Sequence, residues 1–162
     1  RDPEDFRKIR ELLIKQKPLV KQYSSSSYLN SLVAGEIDLA MTWSGDLFQT
    51  ARENPDLDYV IPKEGTYMWV DSLALMRGAR HRQDALRLID YLLEPEVAAG
   101  IANSVRYATP NLAANPMVDK ALRTDPRVYP TPAVMKQLQL HHVLDAEQTE
   151  LWSQTWADVK VA

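Results

Sequence analysis

The sequence has 162 residues, of which 45% are hydrophobic and 25% are charged, proportions that are typical of one globular domain. Its formal net charge of −3 and the lack of a Lys/Arg block argue mildly against nucleic-acid binding. Without cysteine, the chain cannot form disulfides, thiolate nucleophiles or Cys-based zinc sites. No apolar run reaches the roughly 18 residues that predict a membrane-spanning helix.

Helix and strand patterns alternate along the first half of the chain. Asp2 and Pro3 are the residue types of an N-cap and a first helical position, so a helix is expected at the very start, with no signal peptide before it. Helical patterns cover residues 3–17, 28–34, 46–53, 84–93, 95–105, 132–140 and 147–160. Strand patterns cover residues 19–23, 37–43, 59–61 and 66–76. This alternation predicts an α/β architecture.

The longest strand pattern, residues 66–76, is apolar except for a single charged residue near its middle, Asp71. A strand of this kind is expected to be buried on both faces, where an unpartnered carboxylate is costly. The twofold period of a strand places Tyr67, Trp69 and Asp71 on one face. An acid beside aromatic rings suits an organic cation. The alternative is an edge strand whose Asp71 points into water.

A second acid and aromatic pair follows the strand pattern at residues 37–43. Trp43 is expected to end the strand, Gly45 to allow a tight turn and Asp46 to begin a helix, at the edge where ligands of open α/β sheets bind. In the functional interpretation, Asp46 is a second anion for a cationic ligand and Trp43 is a stacking wall. In the structural interpretation, Asp46 caps the helix and Trp43 belongs to the core.

Other aromatic residues also admit two interpretations. Tyr107 lies in a loop, where it offers a ring face and a hydroxyl to a ligand or packs over the edge of the core. Trp152 and Trp156 are four residues apart in the last helical pattern, and this spacing predicts core positions.

Motifs for catalysis and for metals are weak. Asp46 and Asp71 with nearby tryptophans also fit a glycoside hydrolase, but the sequence does not set the distance between the two acids. Neither a glycine-rich nucleotide motif nor Gly-x-Ser-x-Gly occurs. The neighbours His141 and His142 lack the spacing of a helical zinc pair. We therefore expect no catalytic residue, no cofactor and no metal site.

Five motifs together resemble the spermidine/putrescine-binding periplasmic proteins of bacterial ABC importers, in order and spacing over essentially the whole chain. They are Trp43-Ser44-Gly45-Asp46, Ile61-Pro62-Lys63-Glu64-Gly65, Trp69-Val70-Asp71-Ser72-Leu73-Ala74, Leu88-Ile89-Asp90-Tyr91-Leu92-Leu93-Glu94-Pro95-Glu96-Val97 and Tyr107-Ala108-Thr109-Pro110-Asn111-Leu112-Ala113-Ala114. The resemblance implies a type II periplasmic-binding-protein-like fold, in which two α/β lobes hold a polyamine in the cleft between them.

The resemblance also implies that this chain is a partial two-lobed fold, since members of the family are about twice as long. Residues 1–65 would be part of the second lobe, residues 66–112 a segment returning to the first lobe, and residues 113–162 the C-terminal helices of the second lobe. The missing N-terminal half, or a second chain, would complete the cleft.

The site residues implied by the resemblance are Trp43, Asp46, Trp69, Asp71 and Tyr107. The three rings resemble the aromatic walls of the polyamine site. Asp71 resembles the carboxylate that holds an ammonium group, and Asp46 the acid found in putrescine-preferring members. The polyamine preference stays open, because Trp69 is closer to the spermidine type.

The implied activity is that of a periplasmic solute-binding protein, not an enzyme, which delivers a polyamine to an ABC permease. A glutamine that some members use falls near His141 or His142 in this chain, so recognition of the far end of the ligand stays open. Two alternatives are a carbohydrate-active hydrolase using Asp46 and Asp71, and a fragment that does not bind ligand independently.

Overall fold

The computed structural model describes residues 3–162, so Asp2, the predicted N-cap, lies outside the described residues. The α-helices in this range are α1 (Pro3–Gln16), α2 (Tyr28–Val33), α3 (Ser44–Thr50), α4 (Arg82–Leu92), α5 (Pro95–Val105), α6 (Lys120–Arg123), α7 (Pro132–Met135) and α8 (Ala146–Val161). The strands are β1 (Tyr67–Met68) and β2 (Gln139–Leu140), and 3-10 turns cover Lys17–Leu19 and Leu112–Met117.

The chain divides into two compact units. The first consists of the described residues up to Ser26 together with His141–Ala162, and the second is Ser27–Leu140. In the first unit, α1 packs against α8, with Phe6 and Val159 buried. Phe6 contacts Trp152 of α8, whereas Ile9 and Leu12, at the helical spacing that predicts an amphipathic helix, are 46% and 66% exposed.

The two tryptophans of α8 differ from the predicted core positions. The ring of Trp152 meets the edge of Phe6 with centroids 6.5 Å apart, yet Trp152 is 53% exposed. Trp156 is half-buried and meets Tyr23 at 4.8 Å. The core prediction is wrong for Trp152, because within this unit a single neighbouring helix covers only one side of a large ring.

The core of the second unit is built largely from small side chains. Its buried residues are Ala98, Ala99, Ala102, Ala114, Val118, Leu122 and Val128. Alanine has almost no side chain beyond the backbone, so α5 can approach the Leu112–Met117 turn closely. Phe48 of α3 packs against this cluster and its neighbour Leu47 is buried. These contacts anchor the short helix that carries part of the candidate site.

A small parallel sheet joins two distant parts of the second unit, where Tyr67 of β1 lies opposite Gln139 of β2. Gly65 precedes β1 with a positive φ of 89°, which a residue with a side chain adopts only with strain. A Cβ at Gly65 would also meet the backbone carbonyl of Gln137. Glycine therefore lets the two segments approach and pair.

Three predicted strands, at residues 19–23, 37–43 and 59–61, are not formed in the described part of the chain. Leu39 and Met41 are instead 90% and 96% exposed. A strand is stabilised only when a neighbouring strand takes its backbone hydrogen bonds. The alternating pattern predicts strand character, but it does not show whether such a neighbour is present.

The segment 66–76 also differs from the prediction that it is buried on both faces. Only Tyr67 and Met68 form strand, and Val70 and Leu73 are exposed. Among the described residues, the pairing of this segment is the short ladder with β2. The apolar composition predicts strand character, which the structure shows only at Tyr67 and Met68, and burial of the segment needs further packing partners.

Candidate functional site

Helix α3 begins at Ser44, earlier than the predicted start at residue 46. Trp43 is its N-cap, with extended dihedral angles of φ −76° and ψ 134°. Asp46 lies in the first turn, where an acidic side chain is favoured. The interpretation of Asp46 as the cap is therefore wrong, because Trp43 already has the extended conformation that a cap requires.

The carboxylate of Asp46 accepts hydrogen bonds from two tyrosine hydroxyls. Tyr107 Oη donates to Oδ1 at 3.1 Å, and Tyr28 Oη donates to Oδ2 at 3.4 Å. Among residues 3–162, no basic side chain forms an ion pair with Asp46. The donors to both carboxylate oxygens are thus uncharged hydroxyl groups.

Gly45 permits the contact between α3 and Tyr107. It is buried in the first turn of the helix, and a Cβ at this position would lie 2.5 Å from Cδ2 and 2.6 Å from Cζ of the Tyr107 ring. Such distances are shorter than real Cβ atoms adopt. The prediction of a tight turn at Gly45 is wrong, since its role is to leave room for an aromatic ring.

Tyr107 follows α5 in a loop that is held by contacts on either side of this residue. Arg106 ends the helix in the left-handed conformation, with φ 63°, and its guanidinium lies 3.4 Å from Asp119. Further along, the hydroxyl of Tyr129 accepts from the backbone N–H of Thr109 at 3.2 Å. These contacts hold the loop so that the Tyr107 ring lies against α3.

The aromatic side chains at three predicted site positions form a continuous row. The rings of Trp43 and Trp69 have centroids 4.6 Å apart at an interplanar angle of 67°. Trp69 and Tyr107 are 5.6 Å apart at 80°, an edge-to-face arrangement. Trp43 is 48% exposed, so the row is accessible from solvent at that end. Together with Asp46, four of the five predicted site residues are therefore in one cluster.

Asp71 is the predicted site residue that forms no hydrogen bond or ion pair with this cluster. It lies beyond β1, its side chain is exposed, and among the described residues it has no hydrogen bond or ion pair. This agrees with the alternative in which Asp71 points into water. Its role in holding an ammonium group stays a prediction.

Tyr28 also belongs to this cluster, although no motif in the sequence indicates it. It is only 7% exposed, and it begins α2 directly after four serines. A tyrosine at this position has the ordinary pattern of a core side chain. The hydrogen bond to Asp46 depends on how α2 packs against α3, and this is a tertiary feature with no local signal.

The pKa of the Tyr107 hydroxyl lies well above its usual range. Burial disfavours the charged phenolate, and the nearby negative charge of Asp46 disfavours it further. Folding therefore favours the neutral phenol of Tyr107. Its contribution to stability is complete below about pH 10, the ordinary tyrosine pKa, and is lost as the pH rises through the raised value.

The Asp46→Asn variant is expected to lower the pKa of Tyr107, because it removes the negative charge that opposes ionisation. Tyrosinate absorbance during an alkaline titration measures this shift, and Tyr107→Phe identifies which part of the signal belongs to Tyr107. Asp38→Asn is a control, since Asp38 is exposed and lies outside the cluster. An unchanged titration in Asp46→Asn would contradict the hydrogen-bonded arrangement.

The two histidines considered above, His141 and His142, are exposed and belong to the first unit. Among the described residues, no group of three or more His, Asp or Glu side chains is placed to hold a metal ion. A search of the same residues finds no helix that is both long and apolar enough to span a membrane.

Residues 1–130 match the family model described as a bacterial extracellular solute-binding protein. The chain belongs to this family. This match confirms the predicted class of protein over most of the chain. It includes the segment that carries the predicted site residues Trp43, Asp46, Trp69, Asp71 and Tyr107.

Curated relatives of this chain are named for polyamines. The chain is 33% identical over 165 residues to the putrescine-binding periplasmic protein SpuD of Pseudomonas aeruginosa, a match that covers 98% of the chain and 45% of SpuD. It is 33% identical over 156 residues to the putrescine-binding periplasmic protein PotF of Escherichia coli, covering 93% of the chain and 42% of PotF. The chain thus spans less than half the length of these relatives.

A solved structure shares the fold of this chain. The spermidine/putrescine ABC transporter substrate-binding protein PotD of Streptococcus pneumoniae superposes with a TM-score of 0.86 at 25% identity, over 99% of this chain and 50% of PotD. This likeness confirms the predicted type II periplasmic-binding-protein-like α/β fold, present in part. The small sheet described above belongs to that partial fold.

Proposed function

We propose that the complete protein binds a polyamine such as putrescine or spermidine and delivers it to an ABC permease. The observation that carries the proposal is the row of Trp43, Trp69 and Tyr107 beside the carboxylate of Asp46. The names of the relatives support the same class of ligand. In this proposal the protein acts in the periplasm, as those names say of the relatives, and is not an enzyme.

The chemistry of a polyamine fits this cluster. The ligand is a flexible chain of methylenes that carries ammonium groups, so it needs negative charge at its ammonium groups and apolar surface along its spacer. The charge of Asp46 suits an ammonium group, and the aromatic faces suit both the ammonium group and the methylenes. Asp71 is the proposed partner of a further ammonium group.

We further propose that polypeptide outside this chain completes the binding cleft. Leu39 and Met41 are apolar and exposed within a strand pattern, so a strand from an N-terminal half or from a second chain would cover them. In this arrangement, residues 1–65 and 113–162 contribute to the second lobe, and residues 66–112 return to the first. Closure of the two lobes would exclude water from the ligand.

The glycoside hydrolase is not retained as a second candidate. It requires Asp46 and Asp71 to act as a pair across one bond, whereas Asp46 is engaged by two tyrosines and Asp71 lies in solvent. The relatives named above are binding proteins. No observation favours turnover of a glycoside.

Calorimetric titration of the protein expressed from its complete reading frame tests the proposal. Putrescine and spermidine are expected to give saturable heat and a change in tryptophan fluorescence, whereas a dicarboxylate of similar length gives neither. Trp69→Leu is expected to remove most of the fluorescence change, and Trp152→Leu, in the other unit, to preserve it. If no polyamine gives saturable heat or a change in fluorescence, the proposed function is wrong.

A further inference from the structure

Tyr28 has a feature that the proposed function does not use. Its ring is buried at the start of α2, and its hydroxyl reaches across to Oδ2 of Asp46 at 3.4 Å. Tyr107 donates to the other oxygen at 3.1 Å. The carboxylate is therefore held from two sides by phenols that come from different parts of the second unit.

Both side chains that donate hydrogen bonds to Asp46 are uncharged. A partly buried carboxylate needs hydrogen bonds to replace the water it has lost. An arginine or lysine would supply them but would also cancel the charge, and would compete with a cationic ligand. Two phenols satisfy the oxygens without cancelling the charge. A carboxylate has about four acceptor sites, so two remain for an ammonium group.

We propose that Tyr28 is a positioning residue of the polyamine site, which fixes the carboxylate of Asp46 while leaving its charge available to an ammonium group. This inference rests on the proposed function and extends it to a residue that does not itself touch the ligand. Tyr28 acts only through Asp46. Removing its hydroxyl frees the carboxylate to rotate away from the ring row formed by Trp43, Trp69 and Tyr107.

The Tyr28→Phe variant tests the inference, because it keeps the ring and removes one hydroxyl. In the protein expressed from its complete reading frame, we expect its Kd for putrescine to rise roughly fivefold, the size of one ordinary hydrogen bond that is lost. Tyr28→Met, which fills similar space without a donor, is a second variant with the same expectation. Tyr91→Phe, at an exposed position on α4, is expected to leave the Kd unchanged.

A double-mutant cycle separates positioning from a general structural effect. In an Asp46→Ala background, Tyr28→Phe is expected to change the Kd by less than about twofold, because its partner is already absent. Equal losses with and without Asp46 would overturn the inference, as would an unchanged Kd for Tyr28→Phe and Tyr28→Met. If the parent protein binds polyamines in those cases, only this inference fails. If the parent binds none, the proposed function fails as well.

Discussion

Gly45→Ala is expected to weaken polyamine binding by more than tenfold and to lower the stability of the protein. The added Cβ would lie 2.5 Å from Cδ2 of Tyr107, so the ring must move. Its movement breaks the hydrogen bond to Asp46 and the edge contact with Trp69. Overpacking of this kind costs about 1–3 kcal/mol. Calorimetry and denaturant unfolding measure the two effects.

The sign of the stability change makes this prediction specific. Within a helix, alanine is ordinarily favoured over glycine by about 1 kcal/mol, so an unobstructed Gly→Ala change should stabilise the protein. Gly100→Ala on α5 is the matched control, because a Cβ there meets no atom within 4 Å. A Gly45→Ala variant that is as stable as Gly100→Ala would contradict the packing of Tyr107 on α3.

A rescue experiment identifies Tyr107 as the source of the clash. Truncation of Tyr107 to alanine removes the three ring atoms that lie nearest to a Cβ at position 45. Adding Gly45→Ala to Tyr107→Ala is then expected to restore the ordinary helix preference, with no further loss of stability. If Gly45→Ala lowers the stability of the Tyr107→Ala variant as much as it lowers that of the parent protein, the obstruction lies elsewhere in the core.

Most of the helices were predictable from sequence because their signals are local. The pattern at residues 132–140 is an exception, since only Pro132–Met135 is helical and Gln139–Leu140 forms strand β2. The first helical pattern corresponds to α1, and the pattern at residues 95–105 gives the bounds of α5. α8 begins with a capping box between Asp145 and Gln148, which residue types alone can indicate. Such elements depend on caps and periodicity within one segment, and both are visible in the sequence.

The strands were predicted less well because their stability comes from outside the segment. Residues 37–43 have the correct alternation, but no ladder forms there in the described part of the chain. Residues 66–76 form only a short strand, although their composition is strongly apolar. A pattern indicates which face would be buried, whereas burial itself requires a partner that this chain does not contain among its described residues.

The candidate site divides in the same way. Trp43, Trp69 and Tyr107 could be selected from residue type and motif, and the structure brings them together. The hydrogen bonds around Asp46 could not be predicted, since the hydroxyl of Tyr28 reaches Asp46 only through the packing of α2 on α3. The need for glycine at position 45 could not be predicted either, because it follows from the position of the Tyr107 ring, far along the chain.

Asp71→Asn is expected to weaken polyamine binding by more than tenfold, or about 1.4 kcal/mol, while leaving the melting temperature of the ligand-free protein unchanged. The unchanged melting temperature follows directly from the structure. Asp71 is exposed and, among the described residues, forms no hydrogen bond or ion pair, so its charge stabilises little in the absence of ligand. Calorimetry with putrescine and a thermal melt measure the two quantities.

The size of the affinity loss decides whether Asp71 belongs to the cleft. Exposed charge pairs contribute only about 0–1 kcal/mol, and salt screens them strongly. A loss greater than tenfold that persists in high salt therefore requires ligand binding to bury Asp71 against an ammonium group. Asp90→Asn, at another exposed position, is the matched control and should change nothing. A loss of twofold or less in Asp71→Asn would leave Asp46 as the anion of the site and place the second ammonium group against residues outside this chain.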